Sequence, residues 1–448
     1  MSKNEPKLTL TVKQDRALGY HRGGSMRYLS CTVKTPEVKQ EQSQDQHLNL
    51  ALVIDASGSM QGYPLQAACN TAIELVKMLH SGDYLSVVSF ADDFITHLDS
   101  TRMDEEGKWE AERRILQIES RGTTDLAGGW FEGARLLTGV LDEDPSLSNH
   151  IILLSDGHAN RGILEPDILA THAGEMRDRG IYTTTVGIGD DYSITQLQVL
   201  AEAGGGRMHD AQHPHEIAEV VLAELGEVRN TFASDITVVL DGPDNTSVDV
   251  LESYPLQREN TSVRAKLGSL PSESERTVIW RIKLPAGEPG DTVELPVKVL
   301  WTPSGSEESS ETRTRKVLFT LARSRENSSQ ERDQQTSFLV AQRWHAQVLR
   351  EAMDLNRIGR FREASDFITN QLTHFERYCR GIQGTGQLVQ ELKDLTHRVH
   401  YDFDERSRKE VQMYSHKLSR NEKDFRKDVR MNYSLYLRIR SINITLKF

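Results

Sequence analysis

Two aliphatic runs that each end in an acidic turn constrain the fold of this chain most. The first, Leu48 to Ile54 (LNLALVI), reads as a strand buried on both faces, as in a parallel sheet. Asp55-Ala56-Ser57-Gly58-Ser59 follows it. Next comes a helix-spaced segment in which Leu65, Ala68, Cys69, Ala72, Val76 and Leu79 keep to one face. The second run, His150 to Ser155 (HIILLS), ends at Asp156-Gly157. A carboxylate and two hydroxyls thus share one tight turn at the carboxyl end of a strand. Open α/β sheets bind ligands at that edge. Hard oxygen donors on a compact loop suit a hard divalent cation, Mg²⁺ first, then Mn²⁺ or Ca²⁺.

A lone D-x-S-x-S is a weak signal, because Ser and Gly crowd surface turns. A third segment strengthens it: Gly122-Thr123-Thr124-Asp125 closes a polar stretch and opens a helix-like one, Leu126 to Leu141. Together the three segments resemble the von Willebrand factor A domain and its metal-ion-dependent adhesion site. That family's pattern is D-x-S-x-S, a loop threonine, and an aspartate after a later strand. The matching positions here are Asp55, Ser57, Ser59, Thr124 and Asp156. Thr124 takes the threonine's place because GTTDLAGGW fits the family's loop-to-helix run in that register. The resemblance extends from Leu48 to about Leu225. It implies a Mg²⁺ ion whose open coordination position takes an Asp or Glu from a protein partner.

Strand and helix patterns alternate through this stretch, which predicts a doubly wound, mostly parallel α/β sheet with helices on both faces. The flanks differ. Leu8 to Lys13 and Met26 to Lys34 alternate apolar and polar residues. After the α/β region come six strand-like segments, DITVVLDG, SVDVLESY, SVRAKLGSL, RTVIWRIKLP, TVELPVKVLW and TRKVLFTLA. Even spacing of this kind argues for an antiparallel sandwich. An isolated strand pair is not stable, so the N-terminal pair is expected to join the later six, with the α/β domain inserted between them. The expected division is residues 1–46 and 229–323 for the β-sandwich, 47–228 for the α/β domain, 324–337 for a linker, and 338–448 for a helical region with a basic tail. Leu355 to Phe361 reads as a helix–turn–helix junction with Gly359 past the first helix.

The net charge of −12 over 448 residues argues against broad nucleic-acid binding. The tail from Glu405 reverses that sign, with twelve Lys/Arg against five Asp/Glu and with Tyr414, Phe425, Tyr433 and Tyr436 interspersed. It keeps open a second reading, a ribonucleoprotein or nucleic-acid-binding component, beside docking on an acidic protein. A third is a regulatory subunit of an ATPase or chelatase-like complex. No run approaches the ~20 apolar residues of a membrane span, and the N-terminus lacks the apolar segment of a signal peptide. Cys31, Cys69 and Cys379 are too scattered for a disulfide framework. A cytoplasmic protein is expected. Catalysis is not expected, since metal-assisted hydrolysis needs a general base and only His158 lies near in sequence. His209, His213 and His215 read as a surface loop, because Pro214 breaks their register.

Overall fold

The computed structural model describes residues 7–37 and 47–420, apart from 145, 190, 191, 212, 305, 307 and 404. Three strands come first: β1 (Thr9–Gln14), β2 (Leu18–Tyr20) and β3 (Met26–Lys34). The α/β domain follows. Its strands are β4 (Leu48–Asp55), β5 (Tyr84–Phe90), β6 (Phe94–Arg102), β7 (Ser148–Ser155), β8 (Ile181–Ile188) and β9 (Gly205–Ala211). They form one sheet in the order β6-β5-β4-β7-β8-β9, parallel except for β6. Its helices are α1 (Tyr63–Met78), α2 (Glu105–Ile115), α3 (Leu126–Glu143), α4 (Pro166–Asp178), α5 (Ile194–Ala203) and α6 (Ile217–Arg229).

The run LNLALVI divides between the two faces of this sheet. Leu48, Leu50, Leu52 and Ile54 pack with α1, α2 and α6. Ala51 and Val53 pack with α3, α4 and α5. Each fully buried leucine contributes about 2 kcal/mol, so the period-two alternation of strand side chains commits both faces at once. On the α3 side the small residues are steric. A Cβ on Gly129 would fall 2.5 Å from Phe90 Cβ, and one on Gly133 2.7 Å from Val53 Cγ2. The GGWFEG sequence therefore lets α3 lie directly on β4 and β5, and this fixes the loop that precedes it.

The remaining strands are β10 (Thr231–Asp241), β11 (Ser247–Val250), β12 (Leu256–Glu259), β13 (Ser262–Pro271), β14 (Glu275–Lys283), β15 (Thr292–Pro303), β16 (Ser310–Glu311) and β17 (Arg315–Ala322). They make a sandwich of a four-stranded sheet, β1-β3-β14-β11, and a seven-stranded one, β12-β13-β10-β15-β17-β2 with β16 on β15. The N-terminal strands are integral to it. β3 pairs antiparallel with β14 from Met26 to Lys34, and β2 pairs parallel with β17. The α/β domain is inserted between β3 and β10. Sequence pattern had resolved two strands before the insertion and six after it. Of the additional ones, β2 and β16 span three and two residues, too short for alternation to register, and β12 (LQRE) carries a single apolar residue.

The helices after the sandwich are α7 (Ser324–Ser329), α8 (Gln334–Arg357), α9 (Phe361–Cys379), α10 (Gly386–Arg398) and α11 (Glu405–Arg420). Residues 324–337, expected to be a linker, are instead structured. α7 lies there, and α8 starts at Gln334 with Asp333 capping it through the Thr336 amide at 2.7 Å. Gln330 accepts from Leu18 N at 2.7 Å and donates to Leu18 O at 3.0 Å. These tertiary bonds to β2 order a polar stretch that carries no hydrophobic period. Gly359 does sit past α8, with φ +74°, as the junction pattern predicts. The helical region packs on the sandwich through Tyr28, Leu251 and Ile279. Within that contact Arg343 and Glu252 form a buried ion pair at 3.3 Å. Of the aromatic tail residues, Tyr414 packs on the core of the helical region. Phe425, Tyr433 and Tyr436 lie outside the described residues.

Candidate metal centre

Asp55 ends β4, and Asp156 follows the end of the adjacent parallel strand, β7. The turn after β4 is pinned from both sides. Ala56 N donates to Phe90 O, and Gly58 N donates to Gly122 O at 3.2 Å. Gly122 adopts φ +55°, and a Cβ there would strike the Asp92 carboxylate; only glycine fits the crossing of these two loops. Thr124 is buried just before α3. Its amide donates to Asn160 Oδ1 at 3.1 Å, and its carbonyl accepts from Asn160 N at 3.0 Å.

The five residues singled out in the sequence come together in space. The Ser57 and Ser59 hydroxyls lie 3.0 Å apart, and Ser59 Oγ donates to Asp156 Oδ1 at 2.7 Å. Ser57 N donates to Asp55 Oδ1 at 2.9 Å. A Cβ on Gly157 would sit 3.5 Å from Ser59 Oγ and 3.8 Å from Thr124 Oγ1, so both hydroxyls border the same spot. Asp55, Ser57 and Thr124 are buried, Asp156 is half-buried, and Ser59 opens to solvent. The cluster is therefore lined from below and accessible from above.

Sequence reasoning missed two members of this site. Ser155 Oγ donates to Asp55 Oδ2 at 2.7 Å. Its signal was present: a lone hydroxyl at the end of an aliphatic strand, beside Asp156. Asn160, which braces Thr124, left no signal, because its role depends on the loop conformation. Of the rim residues, Gln61, Tyr63 and His158 are exposed. Arg121 is turned inward instead, to Asp93 Oδ1 at 3.0 Å and to Ser89 Oγ at 3.0 Å.

Burial pushes the Asp55 carboxyl above its ordinary value, against hydrogen bonds from Ser57 and Ser155. The groups that reach it are hydroxyls and a backbone amide. Among the described residues, no set of three or more His, Cys, Asp or Glu side chains converges as a metal site. The cluster has two carboxylates and relies on hydroxyl oxygens for the rest. The histidine loop is not a competing site. His209 pairs with Glu224 at 2.9 Å, and His213 stacks on His215.

Residues 49–221 match the family model of the von Willebrand factor type A domain. The α/β region therefore is a VWA domain, set in a larger chain. Among curated proteins, the inter-alpha-trypsin inhibitor heavy chain H1 of Bos taurus is 25% identical over 43% of this chain and 22% of its own. An uncharacterized protein of Synechocystis is 23% identical over 55% of this chain and 59% of its own. The chain thus spans about a fifth of the length of that heavy chain. Similarity to solved structures runs further along the chain. A von Willebrand factor type A protein from Catenulispora acidiphila superposes with TM-score 0.70 at 16% identity, covering 92% of this chain and 98% of its own. The ArnB paralog VWA2 from Sulfolobus acidocaldarius superposes with TM-score 0.55 at 19% identity, with the same coverage. At these identities the likeness concerns the fold, and it extends beyond the VWA domain. No helix of the described residues is long and apolar enough to cross a membrane.

Proposed function

We propose that this chain is a metal-dependent protein-binding module. In this reading Asp55, Ser57, Ser59, Thr124 and Asp156 hold Mg²⁺, and a partner's Asp or Glu completes the coordination. The observation that carries the reading is the spacing of oxygens at the carboxyl edge of the sheet. Octahedral Mg²⁺ with bonds of about 2.0–2.1 Å places neighbouring ligand oxygens about 2.9 Å apart. The contacts Ser57–Ser59 at 3.0 Å and Ser59–Asp156 at 2.7 Å have that spacing. A buried Asp55 carboxylate gains what it lacks from a divalent cation. Three of the five donors are neutral hydroxyls, so the ion stays electrophilic toward an anionic partner ligand. Mn²⁺ and Ca²⁺ also suit an all-oxygen site.

The surface around the site supports a macromolecular partner. Large exposed apolar side chains are few among the described residues, and half of them gather at this edge: Tyr63, Phe94, Ile95, Leu116, Leu164 and Ile168. The register explains the placement. Phe94 pairs with Phe90, which pairs with Asp55, so Phe94 lies two strands from the site, about 10 Å away. Tyr63, Leu164 and Ile168 lie at the starts of α1 and α4, on the same edge. Exposed apolar residues around a polar centre mark an interaction surface. Catalysis of its own is not part of this reading.

The test is capture of partners from the source cell by the full chain, in Mg²⁺ and in EDTA. Partner affinity is expected to fall at least tenfold in EDTA and in Thr124→Ala. Tyr63→Ser is expected to weaken capture about tenfold while leaving Mg²⁺ affinity unchanged. A partner held equally well in EDTA contradicts the reading. Binding of RNA that falls steeply with salt and ignores EDTA would favour the basic tail instead.

A further inference from the structure

The first turn of α5 faces two ways. Toward the metal centre it holds the loop that follows Asp156. Ser193 N donates to Gly157 O at 3.4 Å, Gln196 Oε1 accepts from Ala159 N at 3.3 Å, and Gln196 Nε2 donates to Leu164 O at 3.2 Å. These three bonds fix the start, the middle and the end of that loop. The loop also carries Asn160, which braces Thr124. On its other side, the same turn is held by the helical region. Arg357, the last residue of α8, donates from Nη1 to Thr195 Oγ1 at 2.7 Å. Its Nη2 donates to Gln412 Oε1 on α11 at 2.7 Å, and Gln412 Nε2 donates to Asp354 Oδ1 at 2.9 Å. One turn of α11 away, Lys409 Nζ sits 3.7 Å from the centre of the Tyr192 ring. Tyr192 is fully buried and Lys409 nearly so. An ammonium withdrawn from water over an aromatic face is a costly group to place and a strong one once placed.

We propose that Arg357 and Lys409 are positioning residues of the metal centre, acting through Tyr192–Gln196 on the loop 157–164. The proposal rests on reading that centre as a metal site. The physical link is preorganisation. A loop that samples other conformations binds its ion only in the competent fraction, and the apparent affinity falls by that fraction. The helical region raises the fraction by holding α5. Linkage then works in both directions: an occupied site strengthens the docking of the helical region.

The experiment uses the full chain and Mn²⁺ alone, with calorimetry for affinity and hydrogen exchange for residues 157–164. Thr195→Val keeps the side-chain shape and deletes the acceptor, Thr195→Ser restores the hydroxyl, and Lys409→Met removes the cation. Lys393→Met breaks the exposed pair of Lys393 with Glu376 at 2.7 Å and serves as a control. Thr195→Val and Lys409→Met are expected to weaken Mn²⁺ binding about fivefold and to speed exchange in 157–164. Thr195→Ser and Lys393→Met should match the parent in both. Parent-like affinity and exchange in Thr195→Val and Lys409→Met would overturn the proposal. If the parent itself binds no Mn²⁺, the metal reading fails. The exchange data alone then decide the positioning role: faster exchange in 157–164 keeps it, and unchanged exchange removes it.

Discussion

The central sheet buries an aspartate at each of its edges, and the two are treated differently. Asp83, just before β5, is fully buried at the amino edge. It accepts from Arg229 Nη2 at 2.6 Å, from His80 N at 2.6 Å and from Leu48 N at 3.0 Å. Asp55, at the carboxyl edge of β4, is equally buried, yet it is reached by two serines, and among the described residues no ion pair neutralises it. A buried carboxylate without a cation costs several kcal/mol. One edge is thus closed electrostatically from within the chain. At the other, hydroxyl and amide donors hold the carboxylate. That contrast is the physical basis for reading one aspartate as structural and the other as functional.

The largest expected effect belongs to the closed edge. Arg229→Ala strands the Asp83 charge and should cost about 3–5 kcal/mol in denaturant unfolding. In EDTA, Asp55→Asn should cost far less, or stabilise, because it removes a buried charge held by neutral donors. Equal losses in the two variants would break the comparison.

A smaller effect comes from metal. Mg²⁺ at about one hundred times its Kd should stabilise the parent by about 2.7 kcal/mol and leave Asp55→Asn unmoved. Thermal unfolding with and without Mg²⁺ measures this. A shift of the same size in both proteins would place the ion elsewhere.

The smallest effect is on pH dependence, and it sharpens the comparison by sign. Burial raises the Asp55 carboxyl above 3.8. Its contribution is therefore present in acid and is lost as pH rises from about 4 through the elevated folded value. Glu224 behaves oppositely. Burial works to raise it, but Arg207 and His209, with a hydrogen bond from Thr184, outweigh burial and hold it below 4.5. Its contribution is present above that value and is lost as pH falls through the depressed one. In EDTA, Asp55→Asn should remove a decline seen on raising pH, while Glu224→Gln should remove a loss seen on acidification. Stability against pH for the two variants checks both slopes.

The residues themselves explain what was legible in the sequence. LNLALVI and HIILLS announced their strands because both faces of a central parallel strand are apolar. The D-x-S-x-S turn was legible because its carboxylate and hydroxyls are local in sequence. Joining it to Thr124 and Asp156 took a family pattern, since no local rule links residues a hundred positions apart. The ordering of 324–337 was invisible: it depends on side-chain bonds such as Gln330 to Leu18, which leave no period. Arg229 and Asp83, which close the amino edge, were hidden for the same reason. Neither stands in a motif, and they meet only once α6 packs beside the strand edge.

The central claim is that the carboxyl edge is completed by a divalent ion held by Asp55 and its neighbours. Calorimetric titration of Mg²⁺ and Mn²⁺ into the full chain and into Asp55→Ala tests it most directly. One ion per chain in the parent, and none in a variant that keeps its fold, is the predicted result. Unchanged affinity in Asp55→Ala would contradict the account.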